Sequence, residues 1–287
     1  MKRQQLLLTG SGFVLLIVLY FFGHTVPPKK KNILTKEGSA ATAIGKKIDA
    51  QDILQASKSR LTPTQLSYVN RLENSVVRGD VKNQELKAYR QLITFWKDSV
   101  QNSFLPAAYY TGKVAKLENS EKSLTFAAQL FLDNLYGQDD PALKSWMANE
   151  AKELFERALQ LNPNNDSSRV GLGGCYIFGS TAGSPQEVMQ GIQQILEVVR
   201  RDSTNMYAQF MLGLGGIESG QFDKAIERLI KVIQHQPGNL EAILTLAEAY
   251  QRQGDKSNAI KTYERAKKLI ANQDVIKEID QRIKLLQ

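Results

Sequence analysis

From Ile48 to the C-terminus, apolar residues return every three or four positions, the spacing of one face of an α-helix. Polar and Gly/Pro punctuation divides this pattern into segments. Helical signals begin near Ile48. Thr62-Pro63 reads as an N-cap followed by proline in the first turn, and Leu66, Val69, Leu72 and Val76 share the face that follows. Gly79-Asp80 ends that helix. A second is expected from about Lys82 to Asn102, with Leu86, Tyr89, Leu92, Ile93, Trp96 and Val100 on one stripe. Pro106 opens a third, Ser120 caps a fourth that ends near Gly137, and Asp139-Asp140-Pro141 opens a fifth. No stretch alternates with period two, so the expected fold class is all-α.

The second half of the chain matches itself at an offset of 34 residues. Leu212 pairs with Leu246, Gly220 with Gly254, Ala225 with Ala259, Leu229 with Tyr263 and Val232 with Ala266. That period is one helix–turn–helix repeat. Pieces of one signature recur in order. Ala151-x3-Phe155, Ala158 and Pro163 close one unit; Leu172-Gly173-x2-Tyr176 opens the next. Leu212-Gly213, Ala225-x3-Leu229 and Pro237 form a third, and Leu246-Ala247-x2-Tyr250, Ala259-x3-Tyr263 and Ala266 a fourth. Over residues 138–272 the chain resembles the tetratricopeptide repeat family. Small residues at Gly173, Ala225 and Ala259 let paired helices approach, and Leu172, Tyr176, Phe155 and Tyr263 fill the space between repeats. Val275, Ile279, Ile283 and Leu286 form one apolar stripe, read as a capping helix over 273–287. Repeat two is longer: Ala151 to Gly191 spans 40 residues, with the excess around Phe178 to Pro185. Residues 48–137 carry helical hairpins without clear signature positions, either divergent repeats or a separate cap.

The resemblance implies a right-handed α-solenoid whose inner surface binds a protein or peptide. Mapped onto this chain, the family's inward positions are Ser167, Val170, Gly174 and Ile177 in repeat two. They are Tyr207, Phe210, Leu214 and Ile217 in repeat three, and Glu241, Leu244, Glu248 and Gln251 in repeat four. The candidate groove is therefore Val170, Ile177, Tyr207, Phe210, Leu214, Ile217, Glu241, Leu244 and Glu248. It reads as apolar in the middle and acidic near one end, which suits an amphipathic helix laid in a groove. The Lys and Asn residues with which relatives clamp a C-terminal carboxylate are missing from these positions. Two alternatives stay open: the chain's own N-terminal helices fill this groove, or the array is a structural, self-assembling unit without a peptide ligand.

Ahead of the helical body, Leu6 to Gly23 carries no charge. At about 1.5 Å per residue this run spans about 27 Å, enough for a hydrocarbon core. Its Leu, Ile, Val and Phe residues favour insertion by roughly 4 to 7 kcal/mol. No small-x-small cleavage site follows closely and no Cys follows the run, so an uncleaved single-pass anchor at 6–23 is expected, after a short tail at 1–5 and before a linker at 24–47. Such a chain resembles bacterial membrane-anchored repeat proteins of the inner (plasma) membrane. The cations flank the run almost evenly, with Lys2 and Arg3 before it and Lys29, Lys30, Lys31 and Lys36 after it. Their slight excess on the C-side leans the body toward the cytoplasm rather than the periplasm.

Charge changes the picture little. The chain's net charge is +8, but residues 1–36 hold six cations and no acid, so the body is nearly neutral. That composition argues against nucleic acid, whose binding needs many cation–phosphate contacts. Candidate chemistry is equally sparse. Cys175 stands alone, and His24 and His235 are the two histidines. The glycine runs Gly171-Leu172-Gly173-Gly174 and Gly213-Leu214-Gly215-Gly216 lack the preceding strand, and the Lys-Ser/Thr, of phosphate-binding loops. No haem-attachment motif is present. The sequence therefore points to no catalytic, cofactor or metal site, to no small-molecule substrate, and to a scaffold rather than an enzyme.

Overall fold

A computed structural model of the chain describes residues 48–77, 82–100, 103–179 and 184–287. The expected membrane segment at 6–23, the linker at 24–47, His24, the Gly79-Asp80 break and residues 180–183 of the repeat-two insertion lie outside these residues. Among the described residues, no helix is long and apolar enough to cross a membrane.

All regular structure among the described residues is α-helical. The helices are α1 (Ala50–Lys58), α2 (Pro63–Val77), α3 (Lys82–Asp98), α4 (Phe104–Glu118), α5 (Glu121–Asp133), α6 (Pro141–Leu161) and α7 (Asp166–Phe178). They continue as α8 (Pro185–Arg201), α9 (Met206–Glu218), α10 (Phe222–His235), α11 (Leu240–Gln253), α12 (Lys256–Lys267) and α13 (Gln273–Leu286). Several expected starts are met. Asp140 caps α6 ahead of Pro141, and the Ser120 hydroxyl accepts from the Ser123 amide at the start of α5. The third helix begins two residues earlier than its proline indicates: Pro106 sits inside the first turn of α4, where its missing N–H costs no helical bond.

Antiparallel pairs α3–α4, α5–α6, α7–α8, α9–α10 and α11–α12 form the hairpins. The first helix of each array pair, here called A, touches the A helices before and after it: α5 with α7, α7 with α9, α9 with α11. The second helices, B, pack mainly on their own A helix and the next one. The A helices thus form the tighter, inner layer. The α3–α4 pair has the same hairpin form, with α4 packed on α5, so part of residues 48–137 continues the stack. Helix α1 packs on α4, on the outer B layer. Among the described residues, the N-terminal helices therefore do not occupy the inner face.

One turn is repeated three times. Asn165, Asn205 and Asn239 each N-cap an A helix, the side-chain oxygen accepting from the amides of Ser168, Ala208 and Ala242 at 2.9, 3.0 and 3.0 Å. The same asparagine amides reach back to the carbonyls of Asn162, Asp202 and Gln236. Each cap satisfies an orphan donor and contributes about 1 kcal/mol. Gly220 and Gly254 also recur for a backbone reason: both end A helices at positive φ, 72° and 91°, where a side chain is strained.

The core runs through the array. Ala151, Phe155, Ala158, Ala225, Leu229 and Val232 are fully buried between A and B helices. Around α13, Ile279, Ile283 and Leu286 pack on Ala247, Ala259 and Tyr263, as a capping helix does. Val275, expected on the same stripe, is 38% exposed and leaves the packed face.

Candidate partner-binding face

The inner face is built by the A helices α5, α7, α9 and α11. Glycine on α7 decides its shape. A Cβ on Gly174 would stand 2.4 Å from Met211 Cε and 3.2 Å from Leu132 Cδ2. Bare backbone here lets side chains of α5 and α9 meet over α7. The Tyr207 hydroxyl crosses the same gap and donates to Gln129 Oε1 at 3.0 Å. Gln129 Nε2 donates in turn to Asp133 Oδ1 at 2.6 Å. Beside it, the Tyr136 hydroxyl reaches Met211 Sδ at 3.6 Å, and its ring packs on Phe178 with centroids 4.3 Å apart.

These contacts leave a cleft of about 180 Å³. Leu132, Tyr136, Tyr207, Phe210 and Met211 line its apolar part; Gln129, Asp133, Gln236, Asn239 and Glu241 line its polar part. Asp133 and Glu241 keep surface open to solvent. Even so, the surrounding walls withdraw enough water to raise both carboxyls above the usual range, and the Asp133 charge raises Glu241 further. Burial likewise raises the hydroxyls of Tyr136 and Tyr207, which stay neutral donors.

The sequence-derived groove residues divide into two groups. Val170, Ile177, Phe210 and Ile217 are buried within the array's own packing, at 0, 7, 8 and 4% exposure. Tyr207, Leu214, Leu244 and Glu248 are half-buried and Glu241 is exposed. Tyr207, Phe210 and Glu241 meet at the cleft, while Glu248 pairs with Arg252 at 2.8 Å one turn away. The apolar middle is thus mostly interior, because tight A-helix packing consumes it. Sequence reasoning missed Gln129, Asp133 and Tyr136. Helix α5, which carries Gln129 and Asp133, does have a signature in register: Leu124, Ala127, Ala128 and Phe131 are fully buried where the family has its large–small positions. The loop and the long start of α6 that follow shift it out of the 34-residue period.

The rejected sites are packing features. Gly173 and Gly191 mark the crossing of α7 and α8, where a Cβ on Gly191 would lie 2.4 Å from the Gly173 carbonyl oxygen. Cys175 is buried, and loss of water pushes its thiol well above the ordinary range, so a thiolate nucleophile is disfavoured. His235 Nδ1 lies 2.9 Å from the Lys231 carbonyl oxygen at the end of α10. Among the described residues, no cluster of three or more His, Cys, Asp or Glu could hold a metal.

Stacked hairpins in two layers define a helical-repeat array. Within it, a family model for the tetratricopeptide repeat matches residues 217–278, from the end of α9 into α13. That match supports the tetratricopeptide reading of the repeats. A solved thermophilic tetratricopeptide protein of Thermus thermophilus, TTC0263, is similar to 72% of this chain over 98% of its own length, at 17% identity and a TM-score of 0.53. MamA from Desulfovibrio magneticus RS-1 matches 68% of this chain over 98% of its own, at 21% identity and a TM-score of 0.42. YrrB, described as a TPR protein with an unusual peptide-binding site, matches 73% over 97%, at 15% identity and a TM-score of 0.40. Likeness at these identities speaks to the fold alone. No curated protein sequence matches.

Proposed function

We propose that this chain is a membrane-tethered tetratricopeptide scaffold that holds a segment of another protein against the inner face of its A helices. The observation that carries this reading is the cleft between α5, α9 and the start of α11, on the inner layer. Its volume of about 180 Å³ suits one inserted side chain rather than a whole helix, whose diameter is about 10–12 Å. The bound segment therefore lies across the face and anchors through the cleft. The charge-free run at 6–23 supports the tether, which would confine the search for partners to the bilayer plane and raise their local concentration. No residue in this reading performs chemistry.

The test is photo-cross-linking in native membranes, with the reactive side chain placed at Glu248 on the inner face or at Met189 on the outer. A discrete protein adduct from Glu248 and none from Met189 is the expected result. The reverse pattern rules out the inner face. Alkaline carbonate extraction tests the tether: the chain should stay with the membrane, and removal of residues 1–23 should release it.

A further inference from the structure

The cleft on the inner face joins an apolar floor to a carboxylate mouth. Phe210 and Met211 lie at the floor and the Tyr207 ring at the side. Asp133, in the last turn of α5, and Glu241, in the first turn of α11, stand at the mouth. Some carboxylates of the array meet cations: Glu150 and Glu153 share Lys116, Asp166 meets Arg201, and Asp280 meets Lys267. Among the described residues, Asp133 and Glu241 are in no such ion pair. Asp133 has the Gln129 amide alone, and the neighbouring Asn239 amide turns to Gln236 at 2.8 Å instead.

Resting on the reading of this face as the partner site, we propose that the cleft receives a lysine or arginine side chain of the bound segment. Its aliphatic stem lies against Phe210 and Met211, and its charged head sits between Asp133 and Glu241.

Several physical arguments select this occupant. The space is that of one long side chain. Long cationic side chains bury their stems and keep the charge at the rim. An aromatic face within reach of a cation adds attraction. A purely apolar side chain would strip more water from two carboxylates and give them nothing in return. An acidic one would meet like charge. The raised carboxyls fit the same picture, since each is held in partly withdrawn water and Glu241 also feels Asp133; one cation relieves all of these costs.

The test uses the full chain in detergent micelles and an array of short peptides of randomised sequence. Each binder is reprinted with its Lys or Arg replaced by norleucine, which keeps the stem and deletes the charge. The protein is then compared with an Asp133→Asn/Glu241→Gln variant. We expect binders to carry a basic residue, norleucine replacement to weaken binding about tenfold, and the double variant to bind both peptide forms at the weaker level. Binders indifferent to norleucine, yet cross-linked from Glu248, overturn the cation site and leave the inner-face reading standing. Binders that cross-link only elsewhere, or no binders at all, overturn both. The norleucine comparison on the unaltered protein stands even where the double variant fails to fold.

Discussion

The Tyr207 hydroxyl donates a 3.0 Å hydrogen bond to Gln129 Oε1, joining A helices that are two repeats apart. Neighbour-to-neighbour contact is the rule in repeat arrays, and this bond skips a neighbour. Gly174 makes it possible, because a side chain there would separate Leu132 from Met211. The bond ties repeat one to repeat three over the thinnest part of repeat two.

Tyr207→Phe should therefore lower stability by about 1 kcal/mol, the net worth of an ordinary hydrogen bond. Gln129→Ala should cost a similar amount, and the two together less than their sum, because they share one interaction. Urea unfolding of the three variants measures the coupling. Full additivity would mean that the bond does not couple the two helices.

Glycine-to-alanine exchanges should move stability in opposite directions at two sites in the same layer pair. An alanine at 191 would bring its Cβ to 2.4 Å from the Gly173 carbonyl oxygen, a backbone atom that cannot swing away. Gly191→Ala is expected to cost about 1–3 kcal/mol through overpacking. At Gly215 the nearest atoms are Ile177 Cδ1 and Cγ2, at 3.5 and 3.6 Å, an ordinary contact. There, Gly215→Ala should gain up to about 1 kcal/mol from helix propensity. Thermal melts of both variants decide the matter: shifts of the same sign would show that packing does not set these glycines.

How legible this was in the sequence depended on period. Ala225 and Ala259 stand at equivalent, fully buried A–B contacts, as their 34-residue offset predicts. Ile279 and Ile283, on one apolar stripe, are buried against Ala247, Ala259 and Tyr263. The face itself was harder to read. Inward positions carried over from the family assume a groove of fixed depth, and the glycine at 174 pulls the A helices closer than that. Gly171 brings α7 close to the B helix α6 on the opposite side, where an added Cβ would meet the Phe155 ring at 2.2 Å. Val170 and Phe210 become interior as a result. Asp133 escaped notice because α5 is separated from the regular repeats by the extended α6, and no local pattern announces a contact made across two repeats.

The cap should be the point from which the array unravels. Ile283→Asp places a carboxylate among the buried Ala247, Ala259 and Tyr263, where it loses water. Because each repeat leans on its neighbour, the loss should spread from the end inward. Hydrogen exchange read along the chain should show α11 and α12 losing protection first, with α5 to α7 holding longer. Uniform loss across the array would mean that it unfolds as one unit.

Acidity should stabilise the cleft and weaken its grip. Asp133 and Glu241 have carboxyls raised above their unfolded values, chiefly by lost hydration. The native state thus holds protons that the unfolded chain has released, and stability must fall as pH rises through the raised values. This contribution is fully present below the unfolded carboxylate range, near pH ~4, and gone above the raised values. Asp202 and Asp255 act in the other direction: their carboxyls are lowered by bonds from Thr204 and Asn258, so what they add is lost on acidification. Subtraction separates the two. An Asp133→Asn/Glu241→Gln variant should match the parent's unfolding midpoint in mild acid and exceed it toward neutral pH, where the parent carries two poorly hydrated charges. A cationic segment would bind in the opposite sense, tightening as the same two groups ionise. Parallel midpoints across the pH range would show that water reaches both carboxylates freely, and would remove the electrostatic reason for a cation to enter.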